Sequence, residues 1–430
     1  MVNSIAQALP AKCPQSRTFR SVPVVGMRII LFLILLAEWL SGPVQAQMLT
    51  LSGRVLDRET REPLPYASVG LKGHPYGTVA NSMGEFDFHF PPLLIDQRMV
   101  ISMVGYTNYE AEATTLLKDD INVILMERSN TLLSTLVVAD SLSGGDILQI
   151  ALRRMEGNYP DHPYLVDAFY RDIKKIADRY VSLLEAAIKI YDEDFREPRN
   201  KAKLRERVQL LEVRRSLGYS HRFTSYFDED NLLEEVLLHN NIRYRQFPEE
   251  MIFYQMLVRE PNSIYDGHEV YVVVHKEDYK LRLFIDKKTF GILRMEYENN
   301  MIQPLTKKRG LIGKFVGLKK TIEYKYYQDK LYLNYMEVLS RINWYDMKTD
   351  SLKFETELSQ YLMVNRVYPQ TEERIPITSK MRRYGLQYQD LPYNKGFWDN
   401  YNVIKQSPLD ARIIADLELE QSLEDQFEKK

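Results

Sequence analysis

Seven histidines, at positions 74, 89, 162, 221, 239, 268 and 275, are the first residues to question for chemistry. Hydrolytic zinc needs three convergent protein ligands, an open position and a carboxylate to activate the bound water. None of the seven opens an H-x-x-E or H-E-x-x-H segment. The nearest grouping is His268-Glu269 with His275-Lys276-Glu277-Asp278. On a strand, 268 and 275 differ by an odd number and face opposite sides, so they converge poorly. Both read as surface-strand histidines. The lone cysteine, Cys13, lies in a segment expected to be removed, which leaves no thiolate for a disulfide, a metal or a nucleophile. No G-x-S-x-G elbow, Walker loop or dinucleotide fingerprint occurs, and Ser143-Gly144-Gly145 reads as linker and helix start. No catalytic, cofactor-binding or metal-binding residue is assigned, and no cofactor is expected.

Binding chemistry has more candidates. Arg196, Arg199, Lys201, Lys203, Arg205, Arg207, Arg214 and Arg215 form one basic stretch, interleaved with Glu197, Glu206 and Glu212. Lys307, Lys308, Arg309, Lys314, Lys319 and Lys320 form a second. Either suits anionic lipid headgroups, although a solvated face is the plainer reading. Tyrosine is used 29 times against 17 phenylalanines, so rings could offer a glycan platform; cross-strand packing explains them more simply.

The elements that must carry these residues are mainly strands. Leu49, Leu51 and Val55 alternate with polar residues, Ala67, Val69 and Leu71 give a second inward set, and Phe86, Phe88 and Phe90 a third. Val100–Val104, and then Ile121, Val123 and Leu125, supply two more strands. Asn81-Ser82-Met83-Gly84 is a turn in which Gly84 can hold a positive φ. These residues carry a resemblance. Gly53, Asp57, Pro63-Leu64, Ala67, Gly77-Thr78, Gly84, Phe86 and Gly105-Tyr106 make residues 49–127 similar to the carboxypeptidase regulatory-like family. The resemblance implies a transthyretin-like β-sandwich that accompanies a peptidase or an outer-membrane receptor without doing catalysis.

Residues 128–145 read as a linker, and 146–407 as a second, β-rich domain. Asp146 is expected to cap a short helix carrying Ile147, Ile150, Ala151 and Met155. Tyr180–Tyr191 alternates as a strand, Val270–Val274 is a buried run, and Lys320–Asp346 holds two strands, together an antiparallel meander. Residues 408–430 read as one C-terminal helix, with Leu409, Ile413 and Leu417 on a face. The phrase LRLFIDKKTFGILRMEYE, residues 281–298, resembles a strand–turn–strand of outer-membrane lipoprotein carriers, which implies an open half-barrel holding acyl chains. The whole arrangement, ending near Gly396-Phe397-Trp398-Asp399-Asn400-Tyr401-Asn402, is similar to envelope proteins of Bacteroidetes-type bacteria.

Targeting completes the reading. Arg28, the apolar run Ile29–Ala37 and small residues at Val44 and Ala46 read as a signal peptide over residues 1–46, with the natural start at Met27. The run is too short to span a bilayer, which takes roughly 20 residues, so no transmembrane span is expected in the mature protein. Removal leaves 53 basic against 58 acidic residues, an acidic balance that does not recruit nucleic acid. Nor does the roughly 300-residue remainder suffice for a nutrient-receptor barrel with its plug and loops. The expected function is a non-catalytic exported envelope protein, periplasmic or outer-membrane associated, that binds a partner protein or an apolar, lipid-like ligand. A glycan-binding accessory protein, or an enzyme other than a metallocarboxypeptidase, stays open.

Overall fold

The structure, a computed structural model, describes residues 48–117, 121–129, 141–216, 226–227, 231–376, 385–389, 391–406, 408–419 and 421–428. The signal peptide, its cleavage site, Cys13 and most of the linker lie outside them. Seven short strands come first: β1 Leu49–Asp57, β2 Ser68–Leu71, β3 Gly77–Val79, β4 Glu85–Phe90, β5 Arg98–Ser102, β6 Tyr109–Glu112 and β7 Asn122–Met126. They make two sheets, β4-β1-β7 and β3-β2-β5-β6, with β1 and β7 parallel and the other pairs antiparallel. Phe86, Phe88 and Phe90 are fully buried between them, as their alternation predicts.

One alternation is inverted. Ile124 and Met126 of β7 point inward, whereas Ile121 and Val123 are 58% and 62% exposed. Pairing of Ile124 with Val55 fixes that register, and a one-residue slip exchanges the faces of a strand.

Two of the motif residues meet at the end of β1. The buried Asp57 carboxylate accepts backbone N–H bonds from Thr60 and Glu59, Arg128 Nε at 2.7 Å and the Tyr106 hydroxyl at 2.7 Å. The Thr60 N–H first, then Arg128 and Tyr106, hold it well below the usual carboxylate range. The Asn81 side chain accepts from the N–H groups of Met83 and Glu85, which builds the turn that Gly84 completes at φ +72°.

Eleven further strands form one sheet: β8 Tyr164–Ile176, β9 Arg179–Asp192, β10 Arg207–Arg215, β11 Val258–Tyr265, β12 His268–His275, β13 Lys280–Asp286, β14 Ile292–Asn299, β15 Gln303–Lys308, β16 Leu311–Tyr327, β17 Lys330–Asp346 and β18 Leu352–Tyr368. The order is β10-β9-β8-β18-β17-β16-β14-β13-β12-β11, with β15 paired to one end of β16 and every pair antiparallel. Tyr180–Tyr191 is therefore a strand despite its helix-favouring residues; pairing on both sides overrides local propensity.

Helices Gly144–Arg153, Leu232–Leu238 and Met251–Gln255 cover one face of this sheet, and the tail helices lie on the other. Helix Gly144–Arg153 is capped by Ser143, with Asp146 at the third position completing a capping box rather than serving as the cap. A Cβ on Gly145 would lie 2.4 Å from the Tyr254 carbonyl oxygen, and one on Gly144 2.7 Å from that of Leu257. The glycine pair thus lets this helix lie against Met251–Gln255, a close approach rather than a linker property. The tail holds two helices, Pro408–Leu417 and Leu423–Glu428, where the periodicity suggests one.

The sandwich sits on the opposite face of the sheet, and the residues from Met48 on form one compact unit. Tyr66 stacks on Tyr335 at 5.3 Å, and the Thr78 hydroxyl and Val79 N–H reach Met363 Sδ. The tail stitches the two together. Asn402 exchanges both amide bonds with the His89 backbone at 2.7 and 3.0 Å, Lys405 pairs with Asp87, and Asn81 Nδ2 donates to the Gln406 carbonyl. The aromatic phrase around Trp398 is thus a clamp.

Candidate functional site

Two clefts flank the line along which the sandwich meets the sheet. The first encloses about 540 Å³ and takes its lining from both halves: Ser68, Lys72, Tyr76, Asn108 and Glu110 from the sandwich, and Asp266, His268, Lys325, Tyr326, Tyr327, Tyr332 and Asn334 from the sheet. Its floor is cross-linked. Lys325 Nζ and Asn334 Nδ2 both donate to Ser68 Oγ at 3.3 Å, Lys325 lies 3.7 Å from Asp266, and Asn334 also reaches Glu323 at 2.8 Å. Lys72 pairs with Glu110 at 2.8 Å on the rim.

His268 is the titratable group of note. Its Nδ1 lies 2.7 Å from Asp286 Oδ2, and its ring stacks on Tyr326 at 4.7 Å. The hydrogen bond to Asp286 raises the imidazole's affinity for its proton above the ordinary value, despite partial burial. Burial works against the Asp286 charge, but His268 and the N–H groups of Thr289 and Lys288 outweigh it and hold its pKa down. A histidine held by a carboxylate has the geometry of a general base. Ser68, in the same lining, is 2% exposed, and its hydroxyl oxygen accepts from the two donors above.

The second cleft, of about 690 Å³, lies between Pro65, Tyr66 and Met103 of the sandwich and Arg282, Arg294, Glu296, Lys319 and Glu337 of the sheet. Arg294 pairs with Glu323 at 2.6 Å and Glu296 at 2.9 Å, and both carboxylates hold it charged against its burial.

The histidine pair expected to diverge does so. His268 faces the first cleft, while His275, at the far end of β12, donates from Nδ1 to the Tyr279 carbonyl at 3.1 Å and stacks on the Tyr279 ring. His275 is 4% exposed and packs beside Phe253, so it is a core residue and not a surface-strand histidine. Among the described residues no three His, Cys, Asp or Glu cluster as metal ligands would.

The first basic stretch divides: Arg196, Arg199 and Lys203 are exposed, whereas Arg205, Arg207, Arg214 and Arg215 are half-buried. Arg214 and Arg171 grip the buried Glu185 at 2.6 Å each, and Arg214 also lies 4.3 Å over Trp398. Arg205 and Arg196 hold Asp194, and Arg207 reaches Glu193. Behind them Arg243, 1% exposed, binds Asp192 at 2.7 Å with Glu206 alongside. Sequence spacing missed this network because its carboxylates lie on β9 and the following loop, tens of residues from Arg243. The second stretch divides: Lys320 is buried with its amine on Asn241, while Lys307–Lys314 lie at a projecting end of the sheet.

Comparison with solved structures gives distant likenesses. A domain described as an outer membrane lipoprotein-sorting protein from Vibrio parahaemolyticus shares 15% identity over 53% of this chain and 93% of its own, with a TM-score of 0.22. A LolA superfamily protein from Nitrosomonas europaea shares 12% over 56% and 99%, at 0.21. MucB, solved with MucA from Pseudomonas aeruginosa, shares 10% over 53% and 99%, at 0.16. No curated protein matches. No helix among the described residues is long and apolar enough to cross a membrane. The segment whose motif residues build the sandwich has a direct match: residues 51–138 fit the family model of the CarboxypepD_reg-like domain.

Proposed function

We propose that the protein is an exported, non-catalytic binding protein of the cell envelope, which holds a partner polypeptide in the first cleft. One observation carries the reading. The cleft is built jointly by the sandwich and the sheet, so the clamp that joins them also assembles the site. Its lining joins tyrosine rings and the aliphatic Val69, Leu71, Leu333 and Val367 with lysine, carboxylate and amide groups, a mixture that suits a polypeptide segment better than a bare acyl chain. The His268–Asp286 pair favours an enzyme as the second reading.

Native mass spectrometry of protein purified from envelope fractions tests the proposal. Wild-type protein should carry a non-covalent polypeptide adduct, and Lys72→Trp, which narrows the cleft from its exposed rim, should lose it while keeping its unfolding midpoint. An adduct that survives in the narrowed variant would place binding elsewhere.

A further inference from the structure

Strands β15–β18 run on past their neighbours at one end of the sheet. β16 leaves β14 at Leu318, and β18 leaves β8 at Thr356, so residues 301–316 and 341–355 form a projecting four-stranded ribbon. Its end is drawn together where the Met347 N–H donates to the Gly310 carbonyl at 3.1 Å.

Two features mark the surface of the ribbon. Met301, Ile302, Leu305, Met347 and Leu352 are 45%, 66%, 57%, 49% and 54% exposed, a concentration of large apolar side chains that a soluble surface avoids. Around them residues 301–316 and 346–353 hold six basic residues (307, 308, 309, 314, 348 and 353) against two acidic ones (346 and 350), in a chain whose formal net charge is −2. Lys314 and Lys353 use those two carboxylates, at 3.3 and 3.8 Å, and Lys307 and Lys348 have none among the described residues.

Exposed aliphatic side chains ringed by lysines match the boundary of an anionic bilayer, where apolar groups enter the acyl region and ammonium groups stay at the phosphates. From this charge complementarity we infer that the ribbon tip docks on an anionic phospholipid surface. The inference stands independently of the cleft, which the seam residues line.

Flotation with vesicles of phosphatidylcholine, with or without phosphatidylglycerol, reads it out. Residues 1–47 are kept in all samples, so the comparison is between wild-type and variant protein. Wild-type partitioning should rise with phosphatidylglycerol and fall with salt. Lys307→Gln with Lys348→Gln should weaken it roughly 25-fold, at about fivefold per lysine. Ile302→Ser with Leu305→Ser should weaken it at unchanged charge, which surface adsorption alone would not do. All variants should keep the wild-type unfolding midpoint, because every altered side chain is exposed. Equal partitioning of wild-type and both variants would overturn the inference. So would concentration-dependent dimerisation abolished by Ile302→Ser with no vesicle dependence, which would put a second copy on the patch.

Discussion

Replacing Gly84 by alanine tests the turn on which the sandwich depends. Gly84 sits at φ +72°, a conformation that costs an alanine about 1–2 kcal/mol. The added Cβ would also fall 2.3 Å from the Val55 carbonyl oxygen, a backbone atom that no rotamer can move aside. Val55 is bonded on both sides of that contact: its N–H donates to the Gly84 carbonyl at 2.7 Å, and its carbonyl accepts from Leu64 at 3.0 Å. Losing both bonds adds about 2 kcal/mol, at about 1 kcal/mol each. Gly84→Ala should therefore cost about 3–4 kcal/mol. Gly73 is the control, since it has φ +71° but nothing within 4 Å of its Cβ, so Gly73→Ala should cost only the backbone part, about 1–2 kcal/mol. Urea unfolding of both variants beside wild type measures the difference. Equal costs at the two glycines would refute the argument from contact, and a neutral Gly84→Ala would refute the turn itself.

Three further outcomes follow from named contacts. Asn402→Ala strips the His89 backbone of a donor and an acceptor partner and should cost about 1–3 kcal/mol, with faster protease cutting of the tail that clamps the sandwich. Glu185→Ala leaves the nearly buried Arg171 and Arg214 without their shared carboxylate and should cost about 3–5 kcal/mol in urea unfolding. Burial, with Lys320 nearby, pushes the His239 pKa down to about 4 from its ordinary 6.5. Between those values the unfolded chain binds a proton that the folded chain refuses, so stability falls as pH drops from 6.5 to 4, by up to about 3 kcal/mol. His239→Gln should flatten that slope, and an unchanged slope would remove the assignment.

Much of the first domain was legible because its information is local. Gly84 needs a positive φ and Phe86–Phe90 alternate, and both follow from a few neighbouring residues. The face of β7 was misread, since Ile121-Asn122-Val123-Ile124-Leu125 is apolar at both parities and only its pairing with β1 decides which side is inward. In the second domain the meander was readable from its hairpins, but the cleft was not. Ser68, Asp266, Lys325 and Asn334 come together where the sandwich packs on the sheet, which no periodicity encodes. The basic stretch at 196–215 looked like a surface for the same reason: its partners on β9 become neighbours only through strand pairing.

Site-specific photo-crosslinking in cells tests the central claim most directly. A benzoylphenylalanine at Tyr327, on the wall of the first cleft, should capture a discrete envelope polypeptide, whereas the same probe at Leu93, 90% exposed on the sandwich, should not. Capture at Leu93 alone, or at neither position in protein that is folded, would contradict a binding site on the seam.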